Sequence, residues 1–405
     1  MHSFQLGLRR TPPAAARPTA GAPRLVERIR TEIDAHGPMT FARFMDLALY
    51  DPEDGYYRVA ADRPTRAGDF LTAPELHPIF GAALARQLDE IWQRLGEPPE
   101  FVLREYGAGA GTLGLTILRA LAGAGPGGAA AAAPGLAGAL RYTPVEINEQ
   151  RRADLTERLV EAGFGANLAL DRPLDEPVTG CVLANEFLDA LPVHRVIWQS
   201  GQLHERFVGW DGHGLCDVVG PPSTPALAQR LADEAIQLAE GARAEICLAI
   251  DGWLGEVAAG LQRGCVLVID YGYPAAELYG PTRMNGTLRA YAGQQVHDDP
   301  LVAVGRQDLT AHVDLSAVER AARAVGLSPL GVTSQAEFLV GVGVDALLET
   351  IRADPATTAE EWLTVRSALH RLLDPRLLGG FRVLALGRGL PTEPTLRGLA
   401  YRLRR

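Results

Sequence analysis

Lysine is missing from this chain of 405 residues, and arginine supplies all 39 basic side chains. Its absence excludes mechanisms that use a lysine as a base, as a Schiff-base nucleophile or as the phosphate ligand of a P-loop. A run of about 18 uncharged apolar residues, the minimum for a membrane-spanning helix, is also missing. The sequence therefore predicts no membrane span, and its hydrophobic fraction of 47% predicts a globular chain with a large core.

Cysteine is scarce and widely spaced. The four cysteines, Cys181, Cys216, Cys247 and Cys265, form no C-x-x-C pair, and the histidines show no metal-ligand spacing. This pattern argues against a zinc site or a disulfide framework, and no bound metal is expected. Reduced cysteines suit a bacterial cytoplasm, or the mitochondrial matrix if the source is eukaryotic.

Basic residues are also fewer than acidic ones, and the formal net charge is -10 at pH 7. A chain of this sign is a poor general binder of nucleic-acid backbones, and no nucleic-acid partner is expected. The first 24 residues differ, because they carry four arginines and no acid. We interpret this segment as a disordered tail; a weak organelle-targeting segment is the alternative.

Two patterns divide the rest of the chain. Helical periodicity comes first, and then short apolar runs alternate with helices, which predicts an α/β, Rossmann-like fold with a doubly wound parallel sheet. The strand candidates are FVLRE, RYTPVE, ANLAL, GCVLAN, CVLVIDYG and FRVLALGR. A hairpin pattern followed by a helix interrupts this alternation. The predicted division is a helical N-terminal section at 25–98, a core at 99–194 and 264–405, and an inserted α+β subdomain at 195–263.

The segment EYGAGAG joins the first predicted strand to a helix and contains Gly107, Gly109 and Gly111. Such a turn presents free backbone N–H groups and the positive end of a helix dipole, and glycine lets a ligand approach closely. The spacing is G-x-G-x-G rather than the G-x-G-x-x-G of dinucleotide sites, and Glu105 precedes the first glycine. An acid there favours a cationic ligand, which points to S-adenosylmethionine. A dinucleotide-dependent oxidoreductase and a tight turn without a ligand are the alternatives.

Two further acids follow the next predicted strands. Glu146 ends RYTPVE, where a carboxylate can accept both ribose hydroxyls of a nucleoside. Asp171 follows ANLAL and is predicted to meet the adenine amino group, with Asp175 and Glu176 as nearby competitors. A solvent-exposed acid at a strand end is the structural alternative for Glu146.

Carboxylates also collect after the fourth and fifth strands. Asn185, Glu186 and Asp189 follow the fourth, and Asp270 ends the fifth, so a parallel sheet brings them to one edge. There they can orient a guanidinium through paired hydrogen bonds and take its proton as a methyl group arrives. In the structural alternative, Asn185 caps the next helix and Glu186 favours its positive end.

Nine segments, in order, resemble one known family: MDLALYDPEDGYY, GDFLTAPELHPIFG, EYGAGAGTL, VEIN, NEFLDALPVHRV, VIDYG, GTLRAY, GRQDLTAHVD and TSQAEFL. From about residue 25 to 390 the chain is similar to the MidA-like family of class I S-adenosylmethionine-dependent methyltransferases. That family includes a mitochondrial complex I assembly methyltransferase. The resemblance implies a seven-stranded sheet, S-adenosylmethionine as cofactor and, for the mitochondrial relative, symmetric dimethylation of an arginine on a complex I subunit.

The resemblance also implies roles for individual residues. The three glycines would hold the amino-acid part of the donor, with Glu105 near its ammonium group and Glu146 on the ribose. The remaining assignments place Gly68 and Asp69 of GDFLT beside the donor, and Asn185 and Glu186 where the acceptor enters. One departure is Ala108, where the family usually has proline, which predicts a looser turn.

The leading hypothesis is therefore a methyltransferase that acts on arginine in a protein partner. A non-catalytic assembly factor that binds S-adenosylmethionine is the alternative from another functional class. The catalytic base stays open among Asp69, Glu186, Asp189 and Asp270.

Overall fold

The computed structural model describes residues 21–59, 72–126, 128, 132–292, 295–297 and 299–403. In chain order its strands are β1 Met39–Thr40, β2 Phe101–Tyr106, β3 Leu140–Val145, β4 Val178–Asn185, β5 His194–Gln199, β6 Gln202–Trp210, β7 Leu215–Gly220, β8 Arg243–Ile246, β9 Leu261–Asp270, β10 Gly272–Tyr273, β11 Arg289–Ala292, β12 Gln295–His297, β13 Asp308–Thr310, β14 Val313–Asp314, β15 Ser328–Ser334 and β16 Arg382–Arg388.

The helices precede, separate and follow these strands. In chain order they are α1 Pro23–His36, α2 Phe41–Tyr50, α3 Tyr56–Val59, α4 Ala73–Leu76, α5 Ile79–Arg94, α6 Thr112–Leu121, α7 Pro134–Ala139, α8 Glu149–Glu161, α9 Ala226–Asp233, α10 Ala249–Gly260, α11 Ala275–Leu278, α12 Leu315–Ala324, α13 Gln335–Gly341, α14 Val344–Ala353, α15 Ala359–Leu373 and α16 Arg397–Ala400. Among the residues described, no helix is long and apolar enough to cross a membrane.

Six strands form the central sheet in the order β15-β16-β9-β4-β2-β3. The strands β2, β3, β4 and β9 pair in parallel, whereas β16 runs antiparallel between β9 and β15. The carboxyl ends of the four parallel strands therefore lie along one edge, which is where open α/β sheets hold their ligands.

Both faces of this sheet are covered. Leu103 and Leu183 enter a core shared with α5, α6 and α8 on one face. Val182 and Val266 enter the core on the opposite face, shared with α10 and α12. Neighbouring residues of a strand thus enter different cores, which explains why the strands read as continuous apolar runs. The predicted α/β, doubly wound architecture is confirmed.

The candidate strand ANLAL, residues 166–170, contributes only one parallel bridge, between Tyr142 and Leu168. A 3-10 turn, Gly165–Asn167, precedes the bridge, and Leu170 is 42% exposed. Because one side of this segment faces solvent, it lacks the two-sided burial that lengthens the inner strands. The seventh position of the sheet is therefore reduced to a bridge at its edge.

A second, antiparallel sheet has the order β1-β6-β5-β8, with β7 paired to β6. The β5–β6 hairpin turns at Ser200 and Gly201, whose φ angles of +54° and +73° suit a type I′ turn. Met39 of β1 pairs with Val208 of β6, so the N-terminal section and the inserted residues share this sheet. The domain boundaries stay predictions, and the first 20 residues lie outside the described ones.

Candidate functional site

The three glycines lie between the end of β2 and the start of α6, each with a positive φ. The φ angles are +70° at Gly107, +53° at Gly109 and +71° at Gly111. A Cβ added to Gly111 would lie 2.6 Å from Leu155, and one added to Gly107 would lie 3.2 Å from Phe187. At Gly109 the nearest atom would be 3.9 Å away. Packing thus requires glycine at Gly111, whereas open space adjoins Gly109, as a ligand-binding turn requires.

Glu146 connects this turn to the next strand. One carboxylate oxygen accepts the N–H of Gly109 and the other accepts the N–H of Asn148, both at 2.8 Å. A carboxylate offers about four acceptor positions, so Glu146 can still receive two ribose hydroxyls. The contacts place the predicted ribose acid beside the predicted donor turn.

Glu105 lies beneath the turn, in the core. Its side chain is 4% exposed and accepts the hydroxyl of Tyr142 at 2.6 Å and the N–H of Gly114. Burial raises its pKa to about 7. These partners connect the end of β2 with β3 and α6, and contact between Glu105 and the donor ammonium stays a prediction.

Asp171 faces the same groove as Glu146. The groove has a volume of about 1070 Å³ and lies along β3 and α8. Glu176, a competitor for the adenine role, instead pairs with Arg172 at 3.4 Å. Asp171 and Glu146 therefore line one groove, and their roles in binding a nucleoside stay predictions.

Gly68 and Asp69 lie outside the described residues, but the chain on either side of them is fixed. Asn148 donates to the backbone carbonyls of Tyr57 at 3.0 Å and Arg58 at 2.7 Å. On the other side, the N–H of Ala73 donates to Glu186 at 3.2 Å. The described residues that flank this segment therefore contact Asn148, next to the ribose acid, and Glu186. VEIN was the sequence signal for Asn148, which had no predicted role.

Glu186 and Asp189 form the acidic mouth after β4. Burial, followed by the charge of Asp189, raises the pKa of Glu186 to about 8. Burial raises the pKa of Asp189 to about 6, against a hydroxyl hydrogen bond from Tyr271 that lowers it. Asn185 donates to Glu186 at 3.2 Å, which orients that carboxylate.

Asp270 holds the loop that carries these acids. It is fully buried, and one oxygen accepts the N–H groups of Phe187, Leu188 and Asp189 at 3.2, 3.0 and 3.3 Å. The other oxygen accepts the N–H of Tyr271 at 2.9 Å. Only a 3-10 turn, Leu188–Ala190, follows β4, and Asp270 rather than Asn185 caps it. These contacts favour a positioning role for Asp270 over direct contact with an acceptor.

Tyrosine hydroxyls surround the mouth, and sequence reasoning gave none of them a role. Tyr50 donates to the carbonyl of Ala190 at 2.7 Å, and Tyr57 donates to Asp308 at 2.8 Å. Tyr50 and Tyr57 come from the segment MDLALYDPEDGYY, and Asp308 comes from GRQDLTAHVD. The sequence shows these motifs, but it does not show that their side chains contact one another in the fold.

Among the described residues, the ionisable groups of the acidic mouth are carboxyl groups without an arginine partner. Burial and the charges of Asp189 and Glu186 raise the pKa of Asp270 well above its ordinary value. Within the described parts of the chain, no arginine pairs with Glu186, Asp189 or Asp270, and no group of three or more potential ligands is arranged to hold a metal. A buried acidic cluster without a basic partner favours a cationic ligand.

Residues 83–333 match the model of a family described as "Putative S-adenosyl-L-methionine-dependent methyltransferase". The chain belongs to this family. Among curated proteins, this methyltransferase is 30% identical to the mouse (Mus musculus) mitochondrial protein arginine methyltransferase NDUFAF7, over 88% of this chain and 82% of the relative. The Drosophila melanogaster homologue is 29% identical, over 94% and 88% of the two chains.

A crystal structure from Burkholderia thailandensis, bound to S-adenosyl-homocysteine, is similar to this methyltransferase. The two are 33% identical with a TM-score of 0.82, and the match covers 93% of this chain and 95% of the other. S-adenosylmethionine is thus the cofactor, as predicted, and when bound it supplies a methyl group on a sulfonium. The open space at Gly109 and the spare acceptor positions of Glu146 fit this donor.

Proposed function

We propose that this methyltransferase methylates a guanidinium nitrogen of arginine in a protein. The observation that carries the proposal is the acidic mouth, where Glu186 and Asp189 lie buried beside the donor turn without a basic partner among the described residues. A planar guanidinium can receive paired hydrogen bonds from such carboxylates. The curated relatives named protein arginine methyltransferases support the same acceptor.

The proposed division of labour follows from the contacts. Glu186 and Asp189 contact the acceptor, and one of them takes the proton that its nitrogen loses. Asn185 orients Glu186, and Asp270 fixes the loop. On the donor side, the glycine turn, Glu146 and Asp171 bind the nucleoside and amino-acid parts; these assignments, with Gly68 and Asp69, are part of the proposal.

The acceptor is tested with labelled S-adenosylmethionine and a lysate of cells that lack the protein. Hydrolysis and mass spectrometry should place the label in methylarginine. At pH 9, where both carboxyl groups are ionised, Glu186→Gln and Asp189→Asn should each lower the rate by about 100-fold or more, because the acceptor loses an orienting charge or its base. Glu319→Gln, on the outer side of α12, is the matched control and should keep the rate. Label in methyl-lysine, or full activity in both mouth variants, would contradict the proposal.

The donor turn is tested separately, by calorimetry with S-adenosyl-homocysteine. Gly109→Val should abolish binding, because a β-branched residue is strained at φ +53° and its side chain fills the open space. Gly212→Val is the matched control, since Gly212 also has a positive φ, +94°, with no atom within 4 Å of an added Cβ. Equal losses in both variants would show that strain alone, and not the donor site, is responsible.

For the acceptor protein, we propose a respiratory complex I subunit as the first candidate, because the chain resembles the MidA-like family over most of its length. We place the reaction in the cytoplasm for a bacterial source and in the mitochondrial matrix for a eukaryotic one. Mass spectrometry of methylarginine in wild-type and deletion cells identifies the acceptor. Rescue of the deletion by Glu186→Gln would instead favour the non-catalytic assembly role.

A further inference from the structure

Tyr271 lies between β9 and β10, at the edge of the acidic mouth, and its position is fixed from several sides. Its N–H donates to Asp270 at 2.9 Å, and its carbonyl accepts the N–H of Val313 at 3.0 Å. The ring packs edge-on against Phe381 and His312, with both centroid distances at 5.2 Å. Because the backbone and the ring of Tyr271 are both held, the ring points its hydroxyl group in one direction.

That direction leads to Asp189. The Tyr271 hydroxyl donates to Oδ2 of Asp189 and is itself hydrogen-bonded to the side chain of Thr310. Asp189 is 6% exposed, and its carboxylate also accepts the backbone N–H groups of Ala190 and of Asp189 itself. The hydroxyl therefore occupies one oxygen of the carboxylate and limits the orientations of the other.

We propose that Tyr271 is a positioning residue for methyl transfer, holding Asp189 in the orientation that receives the proton of the acceptor guanidinium. This inference rests on the proposed function. In the step, the bond from nitrogen to the methyl carbon forms, and the bond from sulfur to that carbon breaks with its electron pair left on sulfur. The nitrogen then loses one proton, which passes to Asp189.

The hydroxyl also keeps Asp189 ionised near neutral pH. Burial raises the pKa of this carboxyl to about 6, and the Tyr271 hydrogen bond opposes that rise. Loss of a hydrogen bond to a charged group shifts a pKa by about one unit, a tenfold change in the ionised fraction at a given pH below it. Tyr271→Phe keeps the ring and removes only this donor.

Several other groups face Asp189 and can move the same titration. They are Glu186 on the same loop, Asp270 on β9, Tyr50 on α2, Tyr57 on α3 and Tyr291 on β11; Asp308 on β13 acts on the same three tyrosines. The comparison of Tyr271→Phe with wild type leaves all of them in place.

The first test is the pH dependence of kcat/KM for an arginine-containing acceptor peptide. In Tyr271→Phe the acid limb of the pH profile should move up by about one pH unit, so the rate falls about fivefold at pH 6 and stays within about twofold at pH 9. Tyr106→Phe is the matched control, because it removes a tyrosine-to-carboxylate bond, to Glu256 at 2.6 Å, and leaves the bond from Tyr271 to Asp189 in place. A loss of equal size at every pH, or an unmoved limb, would overturn the proposal.

The second test needs no acceptor. A ¹³C-carboxyl NMR titration of aspartate-labelled protein follows Asp189 directly, with its resonance identified by its loss in Asp189→Asn. The Asp189 titration should move up by about one unit in Tyr271→Phe. If wild type shows this titration but methylates no arginine, the proposed function fails while the Tyr271 contact stands. If the titration does not move, the Tyr271 proposal fails by itself.

Discussion

Glu186 combines a left-handed backbone with a buried carboxyl group, and each feature costs folding free energy. Its φ of +51° is a conformation that residues other than glycine rarely adopt. Its carboxyl group is held in a low-dielectric mouth beside Asp189, which raises its pKa to about 8. Such costs persist where the surrounding structure enforces them, and they concentrate at functional sites.

The cost of burying this carboxyl group predicts how the stability of the protein changes with pH. The ordinary pKa of the group is 4.5, so between pH 4.5 and about 8 folded Glu186 binds a proton that the unfolded chain has released. Raising the pH through this window therefore destabilises wild type. Glu186→Gln has no such proton and should be more stable than wild type by about 4 kcal/mol at pH 8.5, with less than about 1 kcal/mol of difference near pH 4.5.

Thermal unfolding of wild type and Glu186→Gln at both pH values measures the difference in stability, and the activity assay measures the accompanying loss of function. Glu319→Gln makes the same chemical change on α12 and should show no gain at pH 8.5. Equal or lower stability of Glu186→Gln at pH 8.5 would mean that the carboxyl group is not held in the charged mouth as described.

At the scale of elements, α3 is tied to the loop between β3 and α8 through Asn148. Its Oδ1 accepts the N–H of Arg151 at 3.0 Å and so caps α8, while its Nδ2 donates to the carbonyls of Tyr57 and Arg58. Its backbone N–H donates to Glu146, the predicted ribose acid. One residue thus couples the helix cap, the N-terminal section and the donor site.

Asn148→Asp separates these functions, because aspartate still caps a helix but cannot donate to carbonyls. We expect α8 to stay capped while α3 is repelled from the loop, which should weaken S-adenosyl-homocysteine binding by about tenfold, the loss of one to two hydrogen bonds. Calorimetry gives the affinity, and circular dichroism checks the helix content. Unchanged affinity would show that the docking of α3 does not support the donor site.

At the scale of the whole molecule, the sequence predicted what depends on neighbours along the chain. The inner strands were visible as apolar runs because both of their faces are buried, and the glycine turn was visible because Gly107, Gly109 and Gly111 adjoin a strand and a helix. The segment 166–170 became a bridge because one side of it faces solvent, and no local pattern reports that exposure.

The acidic mouth was predictable only in part, because its residues come from distant segments. Parallel strand ends placed Glu186 and Asp270 at one edge, but the capping of the 3-10 turn by Asp270 depends on a contact across more than 80 positions. The tyrosine hydroxyls at residues 50, 57 and 271 meet the mouth through tertiary packing, which sequence periodicity does not encode.

The charge of the whole molecule leads to the last prediction. A net charge of -10 and an acidic mouth attract a cationic acceptor before contact, and this attraction is screened once the Debye length falls well below 10 Å. Raising NaCl from about 50 to 500 mM should therefore lower kcat/KM for an arginine peptide by about fivefold, mainly through KM. S-adenosyl-homocysteine has no net charge, so its affinity should change by less than about twofold and serves as the internal control. If the two quantities fall equally, salt acts on the fold rather than on the acceptor, and if neither falls, the mouth does not bind a cation.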